Sequence, residues 1–173
     1  AAACLSPAFV YGGNNVIPAS YLAAPITKDL FLGVSINSPF GLSTEADYNW
    51  AGSLQARTSK IFTLNVTPSL AYKIAPGITV GAGLQVEYIK ARLTSARNGA
   101  PNTQSLETRG DDTAVGFTAG VHLQPLAGTQ IGIGYRSAID HSIEGGLTIP
   151  ALNVSVVPAI RVPLQTPDSV TVS

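Results

Sequence analysis

The chain has 173 residues, of which 45% are hydrophobic and only 12% are charged, and its 10 Lys and Arg balance its 10 Asp and Glu. A neutral, charge-poor chain lacks the basic surface that nucleic-acid binding requires, and this one is too apolar to be disordered. Its single cysteine, Cys4, excludes an internal disulfide framework and a thiolate metal cage, because each needs more than one sulfur.

Residues 1–27 carry no charge, but they do not form the pattern of a transmembrane helix. Pro7, Pro18 and Pro25 interrupt the segment, and a helix that spans a bilayer needs ~20 consecutive apolar residues. Contact with a membrane is therefore expected through strands. The chain begins with three alanines and contains no Met, so we expect it to be part of a longer protein.

Period-two alternation is the main signal in the rest of the chain. It runs through five segments, which are 30–36, 62–74, 78–88, 115–123 and 131–139. One phase of each segment is almost wholly apolar, and the other holds mainly Gly, Thr, Ser, Asn and Gln. This pattern predicts strands that place one face in an apolar medium. A soluble sandwich would normally carry charges on its second face, so the pattern favours an outer-membrane barrel, whose lipid-facing side excludes charge.

Short and long connections alternate between these strands. Tight turns are predicted at 24–29, 75–77 and 127–129, and long connections are predicted at 40–58, 96–112 and 146–166. Short turns on one rim and long loops on the other are typical of outer-membrane barrels. The strands are too few to close a barrel without free edges. The fold class predicted is therefore an all-β, antiparallel transmembrane β-barrel, with residues 1–173 supplying about half of the strands of one barrel domain.

Several motifs follow one another in a definite order along the chain. They are Ile17-Pro18-Ala19-Ser20-Tyr21, Pro39-Phe40-Gly41-Leu42-Ser43-Thr44, Trp50-Ala51-Gly52, Ala56-Arg57, Pro68-Ser69-Leu70-Ala71-Tyr72-Lys73-Ile74, Gly81-Ala82-Gly83-Leu84 and Tyr135-Arg136-Ser137. In this order they resemble the FadL-type family of outer-membrane transporters of long-chain fatty acids and toluene-like aromatics. The resemblance implies a larger barrel in the bacterial outer membrane, whose N-terminal hatch and C-terminal strands have no counterpart here.

The resemblance also implies a transport path, in which outer loops capture a hydrophobic ligand and a kinked early strand opens a lateral exit from the lumen. The residues that match the kink are Asn37, Ser38, Pro39, Phe40 and Gly41. Pro39 cannot donate to a strand ladder and Gly41 permits a bend, so wall hydrogen bonds are expected to break here. The alternative is that these residues simply end a strand.

Residues 147–163 are unusually apolar for an exposed loop and predict a surface that captures the ligand. The alternative is a loop folded over the barrel mouth with its apolar residues packed inward. A carboxylate head group would need a cation, for which Arg92 and Arg97 are candidates unless they are ordinary solvated charges. The predicted ligand-binding residues are Phe31, Arg92, Arg97, Leu152, Val154, Val156 and Ile160.

The polar phase of the strands predicts side chains that face the lumen. These are Glu87, His122, Arg136 and Asp140. Arg136, Asp140 and Glu144 share one phase and are expected to form a charge ladder. His122 and His141 have no partner at metal-ligand spacing, so a lumenal hydrogen bond is expected for each rather than a metal site. No metal, cofactor or catalytic residue is predicted.

The sequence therefore predicts outer-membrane transport of hydrophobic compounds, above all long-chain fatty acids. The partners expected are the hydrophobic small molecule and outer-membrane lipid with lipopolysaccharide, without nucleic acid, and the complete barrel is expected to be monomeric. Two alternatives stay open. One is an uptake channel for aromatic hydrocarbons, and the other is a non-transporting surface barrel with an adhesive or structural role.

Overall fold

The computed structural model describes residues 18–46, 52–96, 105–126 and 128–173. The described residues form one antiparallel sheet. Its strands are β1 (Ala19–Pro25), β2 (Leu30–Asn37), β3 (Gly41–Glu45), β4 (Thr58–Ala75), β5 (Ile78–Ala96), β6 (Ser105–Leu126), β7 (Thr129–Arg136), β8 (Ile139–Ile149), β9 (Val154–Thr166) and β10 (Ser169–Val172), with a 3₁₀ turn over Pro150–Leu152. Within these ranges no helix has the length and apolarity needed to cross a bilayer.

Neighbouring strands follow the order β1-β2-β4-β5-β6-β7-β10 across the sheet. β3 continues the line of β2 along β4, and β8 continues the line of β7 along β6, with β9 on its far side. The five alternating segments all fall in strands, as predicted, except that 131–139 is interrupted at residues 137 and 138. The antiparallel all-β sheet predicted from the sequence is confirmed.

The short turns join strands at one end of the sheet, which we call the lower end. Gly77 and Gly128 have positive φ angles of 82° and 90° at these turns, a conformation that favours glycine. At the upper end, the predicted long connections are partly strand, because β5 reaches Ala96 and β6 begins at Ser105. The expected loop at 146–166 is largely the β8–β9 hairpin. Its polar backbone is satisfied by the ladder rather than by solvent.

The two faces of the central strands have the opposite polarity to those of a soluble sheet. Val115 is 64% exposed and Phe117 55% exposed, whereas the polar side chains Thr63, Asn65 and Gln85 are fully buried. Paired residues of an antiparallel ladder share a face, so the exposed apolar residues form one continuous outer face and the buried polar residues form the inner face. This is the arrangement of a wall with lipid outside and a polar lumen inside.

The central strands are longer than a membrane requires. β4, β5 and β6 have 18, 19 and 22 residues, whereas ~9–11 residues of tilted strand cross the hydrocarbon. On the outer face of β4, aromatic rings mark such an interval, since Phe62 and Tyr72 are both exposed there. Phe62 pairs with Lys90 of β5, where charged residues begin. The strand segments above Phe62 and Lys90 therefore lie outside the hydrocarbon.

Candidate functional site

A layer of polar side chains crosses the inner face at mid-height; we call it the polar layer. It consists of Asn65 and Thr67 of β4, Gln85 and Glu87 of β5, Asp112 of β6 and His141 of β8. Thr67 Oγ1 donates to Asn65 Oδ1 at 2.6 Å, and Asn65 Nδ2 donates to Glu87 Oε2 at 2.9 Å. Gln85 Nε2 donates to the Phe117 carbonyl at 2.7 Å. The buried polar groups thus satisfy one another, as a low-polarity interior demands.

His141 connects the polar layer to β8. Its Nε2 lies 3.3 Å from Glu87 Oε1, and its Nδ1 lies 3.1 Å from Asp112 Oδ2. The histidine side chain is fully buried, and only 2% of the Glu87 side chain is exposed. A doubly protonated ring can donate to both carboxylates, whereas a neutral ring can donate to one. Asp112 Oδ2 also accepts from the Ser142 backbone N–H at 2.9 Å, which fixes β8 against the wall.

A one-residue shift in register turns the His141 side chain inward. Arg136 of β7 pairs with Thr118, but Glu144 of β8 pairs with Asp111, so the β7–β8 line holds one residue more than the facing stretch of β6. An extra residue in one strand exchanges its two faces. The expectation that Arg136, Asp140 and Glu144 share the inner face is therefore wrong. Arg136 faces inward, whereas Asp140 and Glu144 face outward.

The inward face of β8 packs over glycines of β6. A Cβ on Gly116 would lie 2.7 Å from Ile139 Cγ1, and a Cβ on Gly110 would lie 2.7 Å from Ile143 Cγ2. Both isoleucines are buried. The absence of side chains at these two β6 positions gives Ile139 and Ile143 the space to pack against the inner wall, with His141 between them.

A second register shift occurs at the predicted kink. The β2–β4 ladder ends at the Asn37–Asn65 pair and the β3–β4 ladder resumes at the Gly41–Phe62 pair, which leaves residues 38–40 opposite only two residues of β4. Thr63 fills the gap, because its hydroxyl accepts from the Phe40 N–H at 2.9 Å and donates to the Phe40 carbonyl at 2.6 Å. The ladder is thus interrupted where the sequence predicts a break.

A cavity of about 550 Å³ lies against this break on the inner side of the sheet. It is lined by Asn37, Pro39, Phe40, Thr118, Gly134, Tyr135, Arg136, Pro167, Ser169 and Thr171. A second cavity of about 460 Å³ lies lower, and its lining includes the predicted lumen residue His122, which is exposed. Phe31 is half-buried and pairs with Ala71 of β4 near the lower end. It lines neither cavity.

Above the polar layer the polarity of the two faces is reversed. Ile61, Ile89 and Leu93 lie on the inner phase of β4 and β5, and the two register shifts turn Leu42, Ile139 and Ile143 to the same side. Charged side chains occupy the outer face. Here Lys60 pairs with Glu45 at 3.3 Å, and Arg161 forms an ion pair with Glu144. Ile89, Ile139 and Ile143 are buried there, whereas Leu42 and Leu93 stay about half exposed and Ile61 is half-buried, so these last three side chains form an apolar inner surface.

The candidate head-group cation Arg92 belongs to an ion-pair cluster on the outer face of this upper part. Glu107 bonds both Arg92 and Arg109, at 2.5 Å from Arg109 Nε. Burial alone would raise the pKa of Glu107, but the hydrogen bonds and positive charges of Arg109 and Arg92 outweigh it and lower the pKa. The geometry gives Arg92 a structural partner rather than a place inside the lumen. Arg97 lies outside the described residues.

The remaining predicted ligand-binding residues lie on the β8–β9 hairpin and its turn. Leu152, Val154 and Val156 are each 48% exposed, and Ile160 is half-buried opposite Gly145. The hairpin thus exposes apolar side chains above the wall, whereas Ile149 of the same segment is buried; capture of a ligand by residues 147–163 stays a prediction. The contacts of His141 were missed from the sequence, since its partners lie 54 and 29 residues away. No group of three side chains suited to a metal ion occurs among the described residues.

Comparison with known proteins places this geometry in a family. Residues 5–157 match the model of the family described as outer membrane protein transport protein (OMPP1/FadL/TodX). The long-chain fatty acid transport protein of Escherichia coli O6:H1 is 26% identical over 152 residues, covering 75% of this chain and 34% of the relative. Outer membrane protein P1 of Haemophilus influenzae is 28% identical over 85 residues, covering 46% of this chain and 18% of the relative.

Two solved structures share the fold. The Pseudomonas aeruginosa FadL homologue superposes with a TM-score of 0.74 at 22% identity, covering 90% of this chain and 44% of that chain. The Ralstonia pickettii toluene transporter TbuX gives a TM-score of 0.62 at 17% identity, covering 84% of this chain and 47% of that chain. The chain thus spans about a third of the length of the fatty acid transport protein and just under half of each solved barrel.

Proposed function

Because this chain belongs to the outer membrane protein transport protein family (OMPP1/FadL/TodX), we propose that the whole protein carries hydrophobic compounds, above all long-chain fatty acids, across the bacterial outer membrane. The reversal of face polarity above the polar layer supports this most directly. A wall that only anchored a surface protein would have no use for the inward apolar side chains Ile61 and Leu93. Cargo that is itself apolar gains ~0.8 kcal/mol for each methylene that such side chains cover.

Capture begins at the β8–β9 hairpin in this proposal. Val154 and Val156 expose apolar surface above the wall, where an acyl chain can leave water before it enters the lumen. The inward apolar side chains then receive it below the hairpin. The polar layer, which has the contact of His141 with Glu87 and Asp112 at its centre, closes the lower side of this apolar compartment.

Exit occurs through the wall at residues 37–41 in this proposal. The ladder is already interrupted between Asn37 and Gly41, so the opening breaks fewer hydrogen bonds here than in an unbroken ladder. Pro39 adds to this, because it has no N–H to return to β4. The cavity beside the break provides a site on the inner face where the cargo binds before it leaves.

Uptake of radiolabelled hexadecanoate by cells that lack their own fatty-acid transporter tests the proposal, with the full-length gene supplied in trans. We expect the wild type to show saturable uptake. The V154N/V156N variant removes apolar capture surface, so its uptake rate at low substrate should fall about tenfold. Deletion of Pro39 should abolish uptake. Ser155→Asn, on the same exposed strand, is the matched control and should leave uptake unchanged.

Uptake of toluene without hexadecanoate would show a hydrocarbon channel instead. No uptake of either compound, from a protein that migrates as a folded heat-modifiable barrel, would identify a surface protein without transport. Normal uptake after deletion of Pro39 would place the exit elsewhere in the wall.

A further inference from the structure

We propose that Arg136 and Asn37 hold the carboxylate of the cargo at the break in the wall, so that the cargo is an anionic amphiphile rather than a neutral hydrocarbon. This inference rests on the proposed transport function and adds a selectivity site to it. It assigns the head-group role to a residue that the sequence placed only among the lumen side chains. The ion-paired Arg92 has no part in this site.

Arg136 faces the lumen, and the part of the chain that the structure describes supplies no opposite charge to its guanidinium. It pairs with Thr118 on one side and Ser169 on the other, which places its half-buried side chain on the inner face. Among the described residues its guanidinium has neither an ion pair nor a hydrogen bond. By contrast, Arg92, Arg109 and Arg161 all bond glutamates on the outer face. Even Asp168, which precedes the partner residue Ser169, forms no ion pair with Arg136.

Asn37 contributes an amide without a partner to the same cavity. Its Oδ1 is buried, and no hydrogen-bond donor within the described ranges reaches it. Buried amide atoms are rarely left unpaired, and the other amide atom of Asn37, Nδ2, is a donor that can reach a carboxylate in the cavity that this side chain lines. Asn37 and Arg136 line the same cavity from opposite strands, β2 and β7. Two independent side chains thus lack a partner around one space of about 550 Å³.

The rest of the lining suits an amphiphile. Pro39, Phe40 and Pro167 supply apolar surface, and the hydroxyls of Ser169 and Thr171 supply polar contacts. A guanidinium binds a carboxylate through two parallel hydrogen bonds, while the acyl chain lies against the proline and phenylalanine side chains. A toluene-like cargo would displace water from Arg136 and offer no acceptor in return, which is unfavourable for a charged group. The cavity therefore selects for a carboxylate.

Binding of hexadecanoate and hexadecanol to the full-length protein in lipid nanodiscs tests the inference, because the two probes differ only at the head group. We expect Arg136→Met to weaken hexadecanoate binding about tenfold or more, the loss of a charge-assisted hydrogen-bond pair, and to leave hexadecanol binding unchanged. Arg136→Lys should recover part of the loss. Lys73→Met is the matched control, since Lys73 is an exposed inner-face cation outside this cavity.

An equal loss for both probes, or no loss for hexadecanoate, would overturn the inference. If Arg136→Met does not assemble into a heat-modifiable barrel, Asn37→Leu decides, with an expected loss of about threefold for hexadecanoate alone. A wild-type protein that binds neither probe would refute the proposed function itself. A wild-type protein that binds both with equal affinity, and with no effect of Arg136→Met, would refute the carboxylate site and leave transport standing.

Discussion

The wall below the polar layer and the wall above it use the same strands with opposite polarity. Below, Leu84 and Phe117 face outward and are more than half exposed, and the inner face carries small and polar residues such as Gly81 and Thr118. Above, Lys90 and Arg109 face outward, and isoleucine and leucine side chains face inward. The polarity of the lower part matches the lipid around it, and the polarity of the upper part matches the apolar cargo that we propose.

The reversal of polarity between the two faces arises in two different ways. On β5 the strand runs without a break, and the apolar phase itself changes from Val86 and Tyr88 on the outer face to Ile89 on the inner face. On the β2–β3 and β7–β8 lines, the strand instead holds one residue more than the facing stretch of β4 or β6, so the side chains beyond this point face the opposite side. An extra residue also interrupts the ladder, so these two lines are the weak points of the wall. The break on the β2–β3 line is the proposed exit, and both lines border the cavity beside it.

The largest effect is expected where the two parts meet. His141→Ala takes a shared hydrogen-bond partner away from Glu87 and Asp112, and each buried acceptor left without a donor costs ~1–3 kcal/mol, more where the acceptor is charged. The urea concentration that abolishes the fast-migrating folded band of the full-length protein should fall accordingly. His122→Ala, which removes an exposed histidine from the inner face, should leave that concentration unchanged. Equal effects of the two substitutions would mean that the polar layer does not join the two parts.

Introducing a lysine on the outer face distinguishes the two parts directly. Val86→Lys places a charge among Val66 and Val115 on the lipid-facing side, at a cost of ~2–4 kcal/mol near the middle of the bilayer. Ser142→Lys, on the outer face of β8 beside Asp140 and Glu144, should cost well under ~1 kcal/mol. Urea titration of the folded band measures both. A cost for Ser142→Lys as high as that for Val86→Lys would place the upper part in the hydrocarbon too.

The strands and faces of the lower part could be predicted from the sequence because one alternating pattern runs through all of them. Every strand segment there alternates with period two, and each alternate residue faces lipid. The break in the ladder at residues 38–40 was also predictable, since Pro39 cannot complete a ladder and the nearby Gly41 permits a bend. In both regions, the residues of the segment itself are enough to predict which side chains face lipid and where the ladder breaks.

The face that β8 presents to the lumen could not be predicted in the same way. The apolar residues Ile133, Ile139 and Ile143 all occupy odd positions, so the alternation continues in phase through residues 137 and 138, where the extra residue lies. Nothing in the pattern shows that the faces exchange there. Asp140 was assigned to the lumen for this reason, and the alternation gave no indication of which residues accept the lumenal hydrogen bond expected for His141. Glycine at 110 and 116, which makes room for the inward isoleucines, is visible only once the strands are paired.

The smallest effect concerns the outer charges of the upper part. The lowered pKa of Glu107, which lies above the hydrocarbon, means that its pairing with Arg92 and Arg109 stabilises the folded state above the ordinary pKa of 4.5, and this contribution is lost as the pH falls through the lowered value. Because both arginines are largely exposed to solvent, the gain at neutral pH is at most ~1 kcal/mol. The Glu107→Gln variant should therefore unfold at slightly lower urea than the wild type at pH 7, and this difference should be smaller at pH 3. An identical difference at both pH values would show that Glu107 acts through packing and not through its charge. The upper part would then owe its outer polarity to solvent exposure alone.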